Sequence, residues 1–305
     1  MKVKNVALNP TDWKHIDFLA TPGCTVGCDY SGTVEEVGPK VTKQWKKGDR
    51  IAGFTHGVNS VEPEDGCFAE YCVAKGDTQI KIPDNTTDEE ASTLGVGVFT
   101  VGQGLYQSLD LPLPGNGKAG IPVLIYGGST ATGSLAIQYA IHSGCTVLTT
   151  CSPRNFPFVK ALGATEAFDY NDPDCAKKIR DYTKDGLTKV FDCISEGASP
   201  KICADAIGSK GGEISFLLGP PKVDREDVKT KHTLAYTYTG ETFQFGPKTY
   251  EGNPKDFEFG KMCVFTSPNP RAVERSGVLT TTQVLRDLDE AARVGADFGA
   301  PAQGR

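Results

Sequence analysis

Hydrophobic and polar positions alternate along the first third of this chain and then change to a longer repeat. Val3, Asn5 and Ala7 oppose Lys4, Val6 and Leu8, the period of two expected of a strand. That strand opens abruptly at Met1, so the sequence predicts a shortened N-terminus. Asn9-Pro10 breaks it, and Pro10 suits the first position of a turn or helix with Asp12 in its first turn. Lys14 is then a polar head on a short exposed segment; the plain alternative is a solvated lysine. Glycine-punctuated strands are predicted over 27–38, after the Gly48-Asp49 turn to Phe54, over 66–73 and over 80–83. Several short strands at this spacing suggest a small barrel.

Thr87 followed by Glu90 forms a capping-box signature opening a helix that runs to Tyr106. Leu111-Pro-Leu-Pro-Gly-Asn-Gly117 is a connector and the predicted domain boundary. Beyond it strands and helices alternate. Strands are expected at 123–126, 146–150, 166–169, 190–193 and 213–218, with helices at 134–143, 155–162, 174–183 and 199–207 between them. This order predicts an α/β fold built on a doubly wound parallel sheet, with right-handed crossovers placing every strand's C-terminal end on one rim. Residues 224–231 read as a solvated charged loop and 233–239 as a further strand. Past Lys261 only 282–293 looks helical, and 299–305 is expected to be disordered. The predicted divisions are 1–115, 116–262 and an atypical tail at 263–305; no internal repeat is seen.

Composition narrows the function classes. A length of 305 residues, 38% hydrophobic and 23% charged, suits a soluble globular protein with a sizeable core. A net charge of −6 and a pI near 5.4 argue against nucleic acid as the main partner. No apolar run in the sequence is long enough for a bilayer, and Met1-Lys-Val-Lys-Asn-Val lacks the apolar core of a signal peptide. Ten scattered cysteines without a C-x-x-C pair read as small buried residues in a reducing compartment, so a cytoplasmic location is expected.

Candidate chemistry centres on Gly127, Gly128, Ser129, Thr130, Ala131, Thr132 and Gly133, between an apolar strand and a helix. Glycines there permit a tight turn and close helix packing, and the first-turn N–H groups face outward where a diphosphate accepts from them. Ser129, Thr130 and Thr132 add hydroxyl donors. The spacing departs from G-x-G-x-x-G, so a plain strand–helix turn is the alternative. The second strand of the series ends in Cys151-Ser-Pro-Arg-Asn155 with no Asp or Glu to hold a ribose 2′-hydroxyl. Ser152, Arg154 and Asn155, with Lys160 beyond, form the pattern expected for a 2′-phosphate and hence NADP(H). Tyr170 stands where it can stack by the adenine ribose.

Taken together, Asn9–Lys14, Gly27–Gly38, Gly48–Gly53, Tyr126–Gly133 and Cys151–Phe156 resemble the medium-chain dehydrogenase/reductase superfamily. With Leu111–Pro114, the last two motifs resemble the fungal trans-acting enoyl reductases that work beside polyketide synthases. The likeness spans roughly Val3 to Met262. It implies a GroES-like β-barrel catalytic domain and a Rossmann NADP-binding domain. Gly27-Cys-Asp-Tyr30 stands where zinc-dependent relatives carry Gly-His-Glu, and the four histidines lack zinc spacing, so no metal is expected. The family's further N-terminal strands and its C-terminal helix–strand segment have no evident counterpart, as in a truncated or mis-spliced gene product.

The resemblance implies an NADPH-dependent oxidoreductase acting on a CH–CH group, reducing the α,β-double bond of a carrier-bound polyketide acyl thioester in secondary metabolism. Alternatives are a quinone or enone oxidoreductase of the same fold, or a catalytically impaired nucleotide-binding remnant. Hydride would add at the β-carbon, leaving an enolate oxygen that needs a donor or cation and an α-carbon that needs a proton. Lys14 is the first candidate for that catalytic role. By resemblance, Thr11, Asp12, Trp13 and Lys14 contact the nicotinamide half, joined at the diphosphate and ribose by the glycine turn, by Ser152, Pro153, Arg154, Asn155, Lys160 and Tyr170, and by Leu217 and Leu218. Thr100, Val101, Gly102, Gln103, Gly104, Leu105, Tyr106 and Gln107, with Tyr236, Thr237, Tyr238, Thr239 and Gly240, would line the substrate cleft. The implied partner is a polyketide synthase presenting the acyl chain, with the reductase itself a monomer.

Overall fold

The computed structural model describes residues 1–19, 22–114 and 120–264. In chain order the elements are β1 (Lys2–Ala7), α1 (Pro10–Phe18), β2 (Asp29–Thr33), β3 (Arg50–Phe54), β4 (Ile80–Lys81), α2 (Asp88–Ser92) and α3 (Gly95–Gly102). Then come β5 (Pro122–Tyr126), α4 (Ala131–His142), β6 (Thr146–Thr150), α5 (Phe156–Ala161), β7 (Glu166–Phe168) and α6 (Cys175–Tyr182). They are followed by β8 (Lys189–Asp192), α7 (Ser199–Ala206), β9 (Gly212–Phe216), β10 (Val228–His232), β11 (Phe243–Phe245), β12 (Lys248–Tyr250) and α8 (Pro254–Cys263). The helix expected at 282–293 and the disordered end expected at 299–305 lie outside the described residues, as does part of the 111–117 connector.

The chain divides into two compact units. Among the described residues the first comprises 1–99 and 235–264, and the second 100–234. The cut therefore falls within α3 rather than at the connector, and the segment after Ala235 belongs with the first unit. Aromatic packing explains that return. Tyr238 donates its hydroxyl to the Phe54 carbonyl at 2.6 Å and lies against the rings of Phe54 and Phe99.

In the first unit β1-β2-β3-β4 form one antiparallel sheet, in that order. Tyr30, Val34, Ile51, Cys67 and Cys72 form a core against it. Gly53 is required there, because a Cβ would sit 1.8 Å from Gln79 Oε1, which accepts from the Tyr30 hydroxyl at 2.6 Å. The strand expected at 66–73 is not formed: only an isolated bridge joins Lys2 and Tyr71. Cys67 and Cys72 are both buried, although five residues apart they would lie on opposite faces of a strand, so their burial is not that of one strand face. The helix expected from Thr87 keeps its capping box, with Glu90 N–H to Thr87 Oγ1 at 3.1 Å and Thr87 N–H to Glu90 Oε2 at 2.9 Å. It then divides into α2 and α3 and ends in a widened π turn over Gln103–Ser108.

The second unit is a six-stranded, wholly parallel sheet in the order β10-β9-β8-β5-β6-β7. The chain moves outward through β6 and β7, then returns to β8, β9 and β10 on the other side of β5. That reversal creates a crevice at the C-terminal ends of β5 and its neighbours, the usual ligand position in such sheets. Leu124, Leu148, Val190, Ile214 and Phe216 pack with Ile179, Cys203 and Ala204 to form the core beneath it. The 224–231 run read as a loop contributes β10, and the strand expected at 233–239 contains a 3-10 turn at Ala235–Thr239 instead. β10 is an edge strand with exposed Lys229, a polar pattern that guards edges and hides strands from sequence reading.

Candidate active site

The glycine turn is held by its neighbours on β6. Gly127, at φ +84°, donates its N–H to the Thr150 carbonyl and Oγ1, and Gly128 donates to the same carbonyl at 3.0 Å. A Cβ on Gly128 would come within 2.0 Å of Thr149 Oγ1, and one on Gly133 within 2.2 Å of the Gly127 carbonyl oxygen. Only glycine lets strand, turn and helix approach this closely. Thr130 is the N-cap of α4: its oxygen accepts from Gly133 N–H at 3.0 Å, and its hydroxyl donates to the Gly127 carbonyl at 2.8 Å. That hydroxyl is thus engaged within the turn, not offered to a ligand as the sequence suggested. Among the described residues, the N–H groups of Ser129, Ala131 and Thr132 meet no protein acceptor. Three open donors at the start of a twelve-residue helix make a cradle for an anion.

The loop after β6 is the second part. Ser152 and Tyr170 hydroxyls lie 3.2 Å apart. Asn155 N–H closes onto the Ser152 carbonyl at 2.8 Å, shaping a 3-10 turn over Pro153–Asn155. Arg154 is exposed on that turn and, among the described residues, has no ionic or hydrogen-bonding partner. Lys160 differs: its ammonium donates to the Thr165 carbonyl and pairs with Glu166, both at 2.7 Å. It fastens α5 to β7 and is not free as Arg154 is.

The end of α3 and the π turn carry residues 100–107 expected against substrate, and most of them are buried. Thr100, Val101, Gly102, Gln103, Gly104 and Leu105 are buried, Tyr106 is half-buried and Gln107 is exposed. A Cβ on Gly104 would fall 2.5 Å from the Phe191 ring. Tyr106 directs its hydroxyl to Ser143 at 3.0 Å, at the end of α4. Leu217 and Leu218 are half-buried beyond β9, and the Leu217 N–H is taken by Ser195 Oγ at 2.8 Å.

In the first unit, α1 and the start of β2 assemble a buried polar cluster. Asn9 donates its backbone N–H to Asp12 at 2.7 Å and its side-chain amide to Asp29 at 2.9 Å. Val96 N–H donates to the other Asp29 oxygen at 2.6 Å. Burial pushes the Asp29 carboxyl up to about 7 despite those two donors, and the nearby Asp12 adds to the rise. Thr11 Oγ1 lies 2.7 Å from the Tyr236 hydroxyl and 3.4 Å from His15 Nε2, while His15 Nδ1 meets the Gly57 carbonyl at 3.0 Å. A carbonyl only accepts, so Nδ1 carries the proton. Burial lowers the His15 pKa and favours the neutral ring, leaving Nε2 to accept from Thr11. His56 stacks on Tyr236 with ring centroids 4.1 Å apart, and burial lowers its pKa to about 3.

The structure therefore brings Thr11, Asp12 and Tyr236 together. Trp13 is half exposed, and Lys14 places its ammonium 5.6 Å from the Trp13 ring centroid. Tyr238 and Thr239 are buried with Tyr236, while Thr237 and Gly240 are half-buried. His15, Asp29 and His56 were not picked out as site residues in the sequence. His15 has a local signal, one helical turn after Thr11; His56 becomes visible only through its stacking on a residue distant in sequence.

Comparison with known proteins places both units. The alcohol dehydrogenase GroES-like domain family matches residues 1–84, and the zinc-binding dehydrogenase family matches 131–233. The trans-enoyl reductase TOXD of Cochliobolus carbonum is 50% identical over 262 residues, covering 86% of this chain and 88% of that protein. The trans-enoyl reductase ACTTS2 of Alternaria alternata is 46% identical over 300 residues, covering 94% of this chain and 87% of that protein. A mycobacterial structure solved with NADPH shares the fold at 22% identity and a TM-score of 0.65, over 96% of this chain and 88% of its own.

The zinc in one family description does not fit the donors present. Both Asp29 oxygens already accept hydrogen bonds, and the buried Cys28 thiol lies 3.5 Å from the Tyr236 hydroxyl, its pKa pushed up by burial. Among the described residues no group of three or more His, Cys, Asp or Glu gathers for a metal. The fold, the glycine turn and two relatives at 46% identity or more, each matched over most of its length, lead to one conclusion: the chain belongs to the trans-enoyl reductases of the medium-chain dehydrogenase/reductase superfamily.

Proposed function

We propose that this chain is an NADPH-dependent reductase of the α,β-double bond in a carrier-bound polyketide acyl thioester. It works as a cytoplasmic monomer in secondary metabolism, supplied by a polyketide synthase. The observation carrying the cofactor reading is the set of open N–H groups of Ser129, Ala131 and Thr132 at the head of α4. They suit a diphosphate. Arg154, unpaired among the described residues and on a loop without acid, suits a ribose 2′-phosphate, with Ser152, Asn155 and Tyr170 beside it. When bound, NADPH supplies the hydride. The chain's task is to orient it and to stabilise charge on the thioester oxygen. Thr11 to Lys14 are assigned to the nicotinamide half, with Lys14 the candidate cation for that oxygen, and Thr100–Gln107 and Tyr236–Gly240 to the acyl chain.

The test is NADPH oxidation by the purified chain with an α,β-unsaturated acyl thioester, free and carrier-bound. Saturation of the double bond, faster on the carrier than on free enones or quinones, is expected. Preference for free enones or quinones would move the assignment to that class. NADPH binding without oxidation under any of these conditions would leave a nucleotide-binding protein only.

A further inference from the structure

A serine in left-handed backbone closes the rim next to the glycine turn. Ser195 follows β8 at φ +62° and is 6% exposed. Its hydroxyl donates to the Asp192 carbonyl at 2.9 Å and its oxygen accepts from Leu217 N–H at 2.8 Å. One side chain thus joins the end of β8 to the end of β9. Asp192, fully buried, organises the same loop. Its Oδ1 accepts from the N–H groups of Ile194 and Ser195 at 2.9 and 2.8 Å, and its Oδ2 from the Ser199 hydroxyl at 2.7 Å. Cys193 N–H donates to the Tyr126 carbonyl at 3.1 Å, immediately before Gly127. A Cβ on Gly127 would meet the Ile194 side chain at 3.0 Å. The loop after β8 is therefore a wall of the glycine turn.

The arrangement has a chemical direction. The N–H groups of Cys193, Ile194, Ser195 and Leu217 are all turned into the protein. These four donors are engaged within the protein, in contrast to the open N–H groups at the head of α4. In the proposed NADPH reading the 2′-phosphate lies by β6 and the diphosphate over β5. The remaining, nicotinamide half then extends across β8 and β9.

We propose that Ser195 is a positioning residue for the nicotinamide half: its hydroxyl fixes the β8 and β9 ends on which that half rests. This rests on the NADPH reading above. The role is separable from backbone strain. Glycine accepts the left-handed conformation but brings no hydroxyl, whereas alanine lacks the hydroxyl and keeps the strain.

The test is titration of the wild type, Ser195→Gly and Ser195→Ala with NADPH and with 2′-phospho-ADP-ribose, which lacks nicotinamide. Affinity and the emission of bound nicotinamide are read together, and thermal unfolding reports on the fold. Both variants are expected to bind the fragment within about twofold of wild type. They should lose about tenfold in NADPH affinity, the worth of one or two hydrogen bonds, and most of the nicotinamide emission gain. Ser195→Gly should do so while melting no lower than Ser195→Ala, because it relieves the left-handed strain. A Ser195→Gly protein with wild-type NADPH affinity and emission would overturn the proposal, leaving strain as the residue's role. Wild type that binds NADPH no better than the fragment, with unchanged emission, would overturn it while keeping the cofactor site. Wild type that binds neither would overturn the NADPH reading as well.

Discussion

The Thr11 hydroxyl lies 2.7 Å from the Tyr236 phenol oxygen, a bond between residues 225 positions apart. Tyr236 is 4% exposed, and its ring also lies against His15, Phe54 and His56. Removing the hydroxyl alone leaves those ring contacts but deprives Thr11 of one partner. Tyr236→Phe is expected to cost about 1–2 kcal/mol, the usual consequence of an unmade buried hydrogen bond. Tyr236→Ala, which opens a cavity as well, should cost about 3–5 kcal/mol. Urea unfolding midpoints at constant m-value check both. Equal losses in the two variants would show that the phenol hydroxyl, not the ring, holds the cluster together.

The buried carboxyl of Asp29 makes stability depend on pH in a particular direction. Its folded pKa, about 7, lies above the ordinary 3.8. Between those values the folded chain keeps a proton that the unfolded chain has released. Stability from this group is therefore full below about pH 4 and is lost as pH rises toward 7, by a few kcal/mol at most. His56 acts oppositely: its pKa, lowered from 6.5 to about 3, means stability is lost as pH falls below 6.5. The two trends offset each other in the wild type between pH 4 and 6.5. Asp29→Asn should unmask the histidine trend, so that its stability climbs with pH over that range while wild type changes little. Unfolding midpoints at several pH values decide; parallel curves would remove Asp29 from the titrating set.

Much of this was legible in the sequence because the second unit obeys local rules. Apolar four-residue runs, helix signals between them and glycines at Gly127, Gly128 and Gly133 each report on their own neighbourhood. What stayed hidden depends on distant partners. Cys67 and Cys72 sit in a run that reads like a strand, yet they are buried without forming a ladder. β10 is polar because it is an edge strand. Lys160 follows the Ser152–Asn155 loop in sequence, but Glu166 claims it. The run at 233–239 is aromatic and β-branched because Tyr236 and Tyr238 pack around Phe54, a role no periodicity encodes.

Gly133 is a sensitive test of the turn. A Cβ there meets the Gly127 carbonyl oxygen at 2.2 Å, which is backbone and cannot swing away. Gly133→Ala should therefore push α4 off β5 and cost about 2–4 kcal/mol, at the upper end of single-residue overpacking. NADPH binding should fall with it, since the open N–H groups sit in the same turn. Gly48→Ala is the control for glycine loss without a clash: its φ is +90°, but nothing lies within 4 Å of its Cβ position. That variant should lose only the strain cost and bind NADPH as wild type does. Thermal melts and NADPH titration distinguish the two.

Arg154 and Lys160 allow the cofactor preference to be assigned to one cation. Both lie beyond β6, but Arg154 is unpaired among the described residues, whereas Lys160 is held by Thr165 and Glu166. A 2′-phosphate gains most from a guanidinium whose fork is not already engaged. Arg154→Ala is expected to weaken NADPH by about tenfold or more and NADH by less than about twofold, a difference of at least about fivefold, or about 1 kcal/mol, specific to the phosphate. Lys160→Ala should leave the NADPH-to-NADH ratio unchanged. Its half-exposed ion pair should cost no more than about 1 kcal/mol of stability. Raising salt should narrow the wild-type preference for NADPH, because the Arg154 contact is solvent-facing and screened. If Lys160→Ala alters the ratio as strongly as Arg154→Ala, the lysine must leave Glu166 when the nucleotide binds, and the specificity loop would be rearranged by its ligand.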